Sequence, residues 1–304
     1  MGFNGDFVPL VKPTAERPKS QYHKSLQPIF AGFNTLELNF IRDQLNLSTW
    51  FALGGIAQAA LLAVFGRVAI LPSVVLILYR VLDAYLMAAG VKHNHYMDGV
   101  MLNKFSSQFP DSTGQFGSKP ANGDIVIFLI GARTNHPMGM LSPGTKQLGA
   151  YFTGMARNLE AHAEEFDFLG ASGWTGSERT AGNELMTVMY FKSSDGLHKF
   201  AHSDFHREGW NWWNKEISKM PHLSIWHEMY RSPKGNWENI YVNSHPDLIE
   251  GIEPGKPFYV SPIVDARRGL LKTSAGRMSQ STANEHDKYD QDPYAQYGTL
   301  GYVQ

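Results

Sequence analysis

Cysteine is absent from the 304 residues of the chain. That removes disulfides, thiolate nucleophiles, thiolate-ligated haem, iron–sulfur clusters and cysteine-based zinc sites together. Redox chemistry must then come from oxygen, a histidine-held cofactor or the substrate itself. A surplus of charge is also missing, since 27 Lys and Arg face 28 Asp and Glu for a net charge of −1. Phosphate contacts need cations concentrated on one face, so nucleic acid is not an expected partner. No Gly-rich phosphate loop, G-x-S-x-G elbow, or nicotinamide or flavin fingerprint occurs; the Gly131–Arg133 and Gly170–Gly173 pieces lack the required strand, turn and helix context. The first thirty residues carry Lys12, Arg17, Lys19 and Lys24 with no apolar run behind a basic start, which is not the pattern of a cleavable secretory signal.

What the chain does have is apolar sequence in two long runs. STWFALGGIAQAALLAVF (Ser48–Phe65) and VAILPSVVLILYRVLDAYLMAAG (Val68–Gly90) hold 18 and 23 residues, where a bilayer core needs about 20 helical residues and tolerates about 17. Both are apolar around the whole circumference, and Gly54, Gly55, Ala57, Ala59 and Ala60 let two helices approach closely. Membrane insertion is therefore expected in preference to a buried soluble hairpin. Arg67 between the runs, and Arg80, Asp83 and Pro72 inside the second, keep a re-entrant hairpin beside two full spans. Arg42, Arg80 and Lys92 place both flanks on the cytosolic side if two spans form. A membrane-associated protein is expected, its soluble domain on the cytosolic face, with the endoplasmic reticulum as one candidate membrane.

Five segments are expected: residues 1–47 as an arm leading into a peripheral helix around Pro28–Leu45, 48–90 as the hydrophobic hairpin, 91–119 as a linker, 120–245 as the main domain, and 246–304 as a largely irregular extension. The tail from Ala275 has little to bury and reads as disordered. Within the main domain, Gly123–Arg133 reads as a buried strand and Gly144–Glu165 as a helix. Phe168–Gly176 and Glu184–Ser193 read as a hairpin, Asp195–Met220 as a second helix and His222–Tyr230 as a fourth strand. The order β-α-β-β-α-β is that of a ferredoxin-like, α+β unit. Its sheet has helices on one face only, so two copies packing sheet to sheet into a dimeric α/β barrel are expected.

The densest run of reactive and stacking groups is HSDFHREGWNWWNK (His202–Lys215). On one continuous helix His202, His206 and Trp210 recur four apart and Trp213 follows, all near one face. The bland account, a core stripe, is the expected one for Trp210 and Trp213. A histidine within such a stripe must find a partner or sit at a cavity. Zinc on His202 and His206 is disfavoured, because Ser203 stands where the zinc-protease motif has Glu and no cysteine is available. Arg133, Asn135 and His136 close the first strand, where solvated loop residues compete with a carboxylate- or carbonyl-binding arginine. In the last strand His222, Ser224, Trp226 and Glu228 share one face, and His227 points with Leu223, Ile225 and Met229 to the other.

GDIVIFLIGARTNHP, FLGASGWTG, MTVMYFKSSDGLHKFAHSDFHREGWNWWN and IWHEMYR with IYVN (Ile240–Asn243) resemble, in this order, the antibiotic-biosynthesis-type monooxygenase superfamily, most nearly its fungal fumagillin-pathway polyketide monooxygenase-like family. The similarity covers about 120–245. It implies a dimeric barrel with a cavity between sheet and helices, and oxygen-dependent modification of a hydrophobic polyketide or related secondary metabolite without a flavin or nicotinamide. Oxidative cleavage of a polyunsaturated acyl chain is one form of that chemistry. Arg133, Asn135, Trp174, His206, Trp210, His227, Glu228 and Tyr230 match the family pattern, and His206 falls where haem-handling relatives place an axial ligand, which keeps haem open. The mechanism expected from both lines has His206 or His227 as base and Arg133 stabilising the developing anion, with Asn135, Trp174, Trp210, Glu228 and Tyr230 shaping the substrate site. Two other readings stand beside it: a haem-binding dehydratase or haem-handling protein on the same fold, and a non-catalytic membrane-bound binding protein.

Overall fold

The computed structural model describes residues 7–30, 33–111, 114–245 and 259–278. In chain order these form α1 (Gln21–Ser25), β1 (Pro28–Phe30), β2 (Phe33–Asn34), α2 (Thr35–Asp43), α3 (Leu47–Phe65), α4 (Leu71–Ala88), β3 (Met101–Ser107), β4 (Ile125–Thr134), α5 (Thr145–Ala161), β5 (Phe168–Thr175), β6 (Leu185–Phe191), α6 (Ser194–Ala201), α7 (Asp204–Glu216), β7 (Leu223–Ser232), β8 (Tyr241–Ser244), β9 (Ile263–Asp265) and α8 (Ser274–Arg277).

An unbroken apolar run such as IVIFLI is stable as a strand only when neighbours cover it on both sides. β4 is that strand, pairing antiparallel with β6 along one edge and β7 along the other, and β5 closes the sheet in the order β5-β6-β4-β7. With the helices falling between β4 and β5 and between β6 and β7, this is the ferredoxin-like arrangement. The register gives each face its residues. Val126, Phe128, Ile130 and Ala132 lie opposite Phe191, Met189, Thr187 and Leu185 of β6 and opposite Arg231, Met229, His227 and Ile225 of β7. Val126 and Phe191 are fully buried there with Leu159 of α5 and with Leu197 and Phe200 of α6, so this is the helix-covered face. Ile127, Leu129, Gly131 and Arg133 define the opposite face. Gly131 serves that face by being bare: a Cβ there would come within 2.4 Å of the Trp226 indole, which lies across it.

The single helix expected over Asp195–Met220 is two helices. Ser203 is extended (φ −67°, ψ 156°), donates its hydroxyl to the Phe200 carbonyl at 2.6 Å, and accepts the His206 N–H at 3.5 Å. It thus ends α6 and caps α7. His202 falls at the end of the first helix, bonded through Nδ1 to the His198 carbonyl (2.8 Å), and shares no helical face with His206. The inward stripe of α7 runs through His206, Gly209 and Trp213. Gly209 is the buried residue of that helix, against Met155 and Tyr151 of α5. Trp210, one position on, is turned outward and 53% exposed, which corrects its expected place in the core. Trp212 and Trp213 instead pack against Leu148, Met220 and Leu223.

Residues 91–119 are more than a linker. They carry β3, the middle strand of a second sheet ordered β8-β3-β9, with Phe105 fully buried and stacked on Tyr241 at 5.0 Å. The expected helix over Pro28–Leu45 is reduced to α2, after the β1/β2 ribbon, with an Asn34/Glu37 capping box. Arg17 ties the arm to α5 through an ion pair with buried Glu160 at 2.5 Å. The expectation for the tail from Ala275 falls, after Met278, outside the described residues. The Leu47–Ala88 stretch is helical except where Gly66 takes a left-handed φ of 63° ahead of the 3-10 turn Gly66–Ile70. Gln58 donates to the Ala69 carbonyl (3.0 Å) and accepts from Ser73 (3.1 Å), so the chain doubles back. Most of its side chains are exposed, and by length and composition this stretch can cross a membrane.

Gly131→Ala should destabilise the fold by about 1–3 kcal/mol, because the new methyl displaces Trp226 from the sheet. Gly117→Ala, which meets nothing within 4 Å, should leave stability within about 0.5 kcal/mol in the same urea titration.

Candidate active site

The period of two along β7 sorts the site residues. His227 stands opposite Ile130 and therefore lies on the helix-covered face, its ring 5.4 Å from that of Phe128. His206, in the first turn of α7, comes to the same side and meets the Phe200 ring edge-on at 5.8 Å. Burial, the largest cause, holds the His206 pKa below its ordinary value, and the nearby charges of His202 and His227 push it the same way. A hydrogen bond to the Ala201 backbone opposes them. A neutral imidazole that donates one N–H to a carbonyl leaves its other nitrogen as an acceptor, the form a general base needs.

Arg133, Trp174, Glu228 and Tyr230 lie on the other face. Arg133 is opposite Ser224, Glu228 opposite Leu129, Tyr230 opposite Ile127, and Trp174 opposite Met186. Arg133 reaches Glu178 at 3.4 Å. Glu178 is held below the usual carboxylate range, first by a hydrogen bond from its own backbone and then by the Glu184 N–H and Arg133, with desolvation opposing. Tyr230 donates to Glu228 at 2.8 Å, which raises its own pKa. Asn135 extends the pairing beyond β4 by donating its backbone N–H to the His222 carbonyl at 2.7 Å, and its side chain is exposed. The structure thus places His206 and His227 on one side of the sheet and Arg133 on the other. Within one chain Arg133 does not reach an anion formed at the histidines, which corrects that part of the expected mechanism. Sequence reasoning missed Glu178 and Glu184, whose carboxylate accepts the Trp226 indole N–H at 2.5 Å. The turn at 177–183 carried no sign of which strand end it would close on.

Residues 125–249 match the family model described as monooxygenase af470-like. The protein named Monooxygenase af470 of Aspergillus fumigatus is 30% identical over 280 residues, covering 90% of this chain and 97% of that one. The chain belongs to the monooxygenase af470-like family. It is an oxidoreductase of the monooxygenase class, which removes the non-catalytic reading. Among solved structures, SnoaB, a cofactor-independent oxygenase from Streptomyces nogalater, aligns at 11% identity over 36% of this chain and 92% of its own, with a TM-score of 0.25. Rv0793 from Mycobacterium tuberculosis aligns at 13% identity over 36% and 94%, with a TM-score of 0.26. Aldoxime dehydratase OxdRE in complex with butyraldoxime aligns at 15% identity over 54% and 38%, with a TM-score of 0.33.

This member of the family has a cavity of about 340 Å³ beside β5, lined by Tyr22, Leu36, Asn39 and Trp174 among others. A second, of about 640 Å³, lies between the N-terminal arm and the end of α5, beside Arg17, Glu160 and Tyr259. Neither adjoins His206 or His227. The His206 ring meets Phe200 edge-on at 5.8 Å, and the ring of His227, an exposed residue, lies 5.4 Å from Phe128. No step is assigned to haem.

His206 has its pKa lowered in the fold, so its contribution to stability is present above the unfolded value of about 6.5 and is lost as pH falls through the folded value. Thermal unfolding followed from pH 7.5 to 5 should show stability falling below about pH 6.5, with a shallower fall in His206→Gln.

Proposed function

We propose that this monooxygenase acts with molecular oxygen on a hydrophobic, electron-rich polyketide or related secondary metabolite, without flavin, nicotinamide or haem, and that His206 is its general base. One observation carries the assignment: a neutral, partly buried imidazole on α7, edge-on to Phe200, lies on the same side of the sheet as a second, exposed imidazole on β7 beside Phe128. Removal of a C–H proton by His206 leaves a substrate carbanion, delocalised over the conjugated system, that reduces oxygen; the adduct formed takes a proton to become a hydroperoxide, and loss of water gives a carbonyl. A CH₂ group thereby becomes C=O while oxygen is divided between product and water, the substrate supplying all four electrons. His227 orients the substrate or assists the proton transfer, and Trp210, exposed on α7, borders the approach. Oxidative cleavage of a polyunsaturated acyl chain is a finer form of this reading, in which both oxygen atoms end in two carbonyl products.

The apolar hairpin from Leu47 to Ala88 supports attachment to a membrane, where such substrates concentrate. At 1.5 Å rise per residue, α3 is about 28 Å long, close to the ~30 Å hydrocarbon thickness of a bilayer. Arg67 at the turn then reaches the far headgroups and the domain stays on the cytosolic side. A homodimer is proposed on the open sheet face, where partly exposed Ile127, Leu129, Met186 and Val188 stand with Trp174, 56% exposed, and Tyr230, 54% exposed. A sheet covered by helices on one side leaves such a face to another layer. Arg133 then belongs to the paired face rather than to the reacting centre.

With ¹⁸O₂, mass spectrometry should find one labelled atom in the product; two labelled carbonyls would establish cleavage instead. His206→Ala should lower kcat by about 10²–10⁴ with the fold intact, and Arg133→Ala should cost far less; full activity in His206→Ala removes that residue from the mechanism. Leu129→Asp should convert the detergent-solubilised dimer to monomer in light scattering, whereas a wild-type chain already monomeric would rule the dimer out.

A further inference from the structure

The base of the hairpin is fastened to one end of the main sheet. The Gln44 side chain donates to the Met138 carbonyl at 2.9 Å and accepts the Met140 N–H at 2.8 Å. Asp43 accepts the Asn183 N–H at 2.6 Å, its Nδ2 at 2.9 Å, and the Gly182 N–H on its carbonyl at 2.7 Å. Thr180 donates to Asn46, the residue that precedes α3. Both loops at that end of the sheet, 135–144 after β4 and 176–184 between β5 and β6, are therefore held within a turn of helix of the first residue of α3. Gly139 makes the approach possible. It takes φ 51°, and a Cβ there would stand 2.4 Å from the Gln44 side chain.

At this junction the chain exposes apolar side chains that the fold could have covered. Leu141 is 77% exposed, the highest value among the large exposed hydrophobic residues, and Met138 is 53% exposed. Met138 precedes the 3-10 turn Gly139–Leu141 and Leu141 ends it. The exposed cations Arg42 and Lys146 stand close by in sequence, and Trp50 at the start of α3 donates its indole N–H to the Arg42 carbonyl at 3.0 Å. A tryptophan, basic side chains and protruding aliphatic groups together suit a membrane interface.

We infer that the Met138–Leu141 turn dips into the bilayer surface beside the base of the hairpin, so that the domain rests on lipid at the C-terminal end of β4. The occupant is the headgroup–acyl boundary of the membrane. This rests on the membrane reading of Leu47–Ala88 and adds a second, shallow contact that fixes the domain's tilt.

The natural absence of cysteine allows a single cysteine to be placed at Leu141, at Ile56 in the middle of α3, or at Lys234 beside the opposite end of the sheet. Each full-length variant is spin-labelled in phosphatidylcholine vesicles containing phosphatidylserine, and the label's accessibility to oxygen and to a water-soluble nickel complex is compared. Position 141 should show an oxygen-to-nickel ratio several-fold above position 234 and below position 56, and Gln44→Ala should lower it at 141 while leaving 56 unchanged. A label at 141 as open to nickel as that at 234, with 56 still immersed, overturns the inference and leaves the anchor standing. If 56 is also open to nickel, the membrane reading fails and the contact fails with it.

Discussion

β4 has a hydrogen-bonded strand on each side, and this constraint governs the rest of the domain. A strand paired on both edges cannot slip by one residue without turning its whole apolar set to the wrong face. With β4 fixed, β6 and β7 inherit its register, and every side chain in the sheet is assigned to one face or the other. His227 goes to the helices; Arg133, Trp226 and Glu228 go to the open side. The division of the site residues is thus a consequence of pairing, set before any of their own contacts are made.

On the helix side, the decisive local feature is a serine. Ser203 bonds both the helix it ends and the helix it begins, and the break re-aims everything after it. Without that cap His202 would continue the stripe of His206; with it, His202 ends α6, while within α7 His206 and Gly209 face inward and Trp210 is open to solvent. Gly209 contributes no apolar surface of its own, yet its bare backbone leaves room for Met155 and Tyr151 of α5. The His206 environment follows from this packing. A ring pressed against Phe200 loses water, and a lost hydration shell disfavours the charged imidazolium more than the neutral ring.

At the other end of the sheet, polar bonds rather than apolar packing dominate. Asp43, Gln44 and Asn46 precede a helix that buries nothing within the protein, and they meet loops that are themselves short of helix or strand partners. Backbone N–H and C=O groups of those loops would otherwise be left to water. Joining them to the base of the hairpin converts two independent pieces, an apolar hairpin and a soluble sheet, into one body with a defined orientation.

Sequence alone determined the features that depend on local periodicity and composition. The buried strand at Ile125–Thr134, the helix after Pro143, the β5–β6 hairpin, the apolar pair of helices and the β-α-β-β-α-β order are all written in runs of neighbouring residues, as are the motifs that carry the family resemblance. The placement of His227 on the apolar face was legible too, because alternation along a strand needs no partner. Tertiary structure alone decided the rest. Whether Asp195–Met220 was one helix or two turned on a capping serine set within an otherwise helical pattern, and Trp210's exposure followed from the face that α7 packs against α5 at Gly209. The Arg133–Glu178 pair, the Trp226–Glu184 bond, the β8-β3-β9 sheet and the Gln44 clasp join residues far apart in the chain. Such contacts arise from the closing of the sheet, and no local pattern encodes which distant segment will arrive.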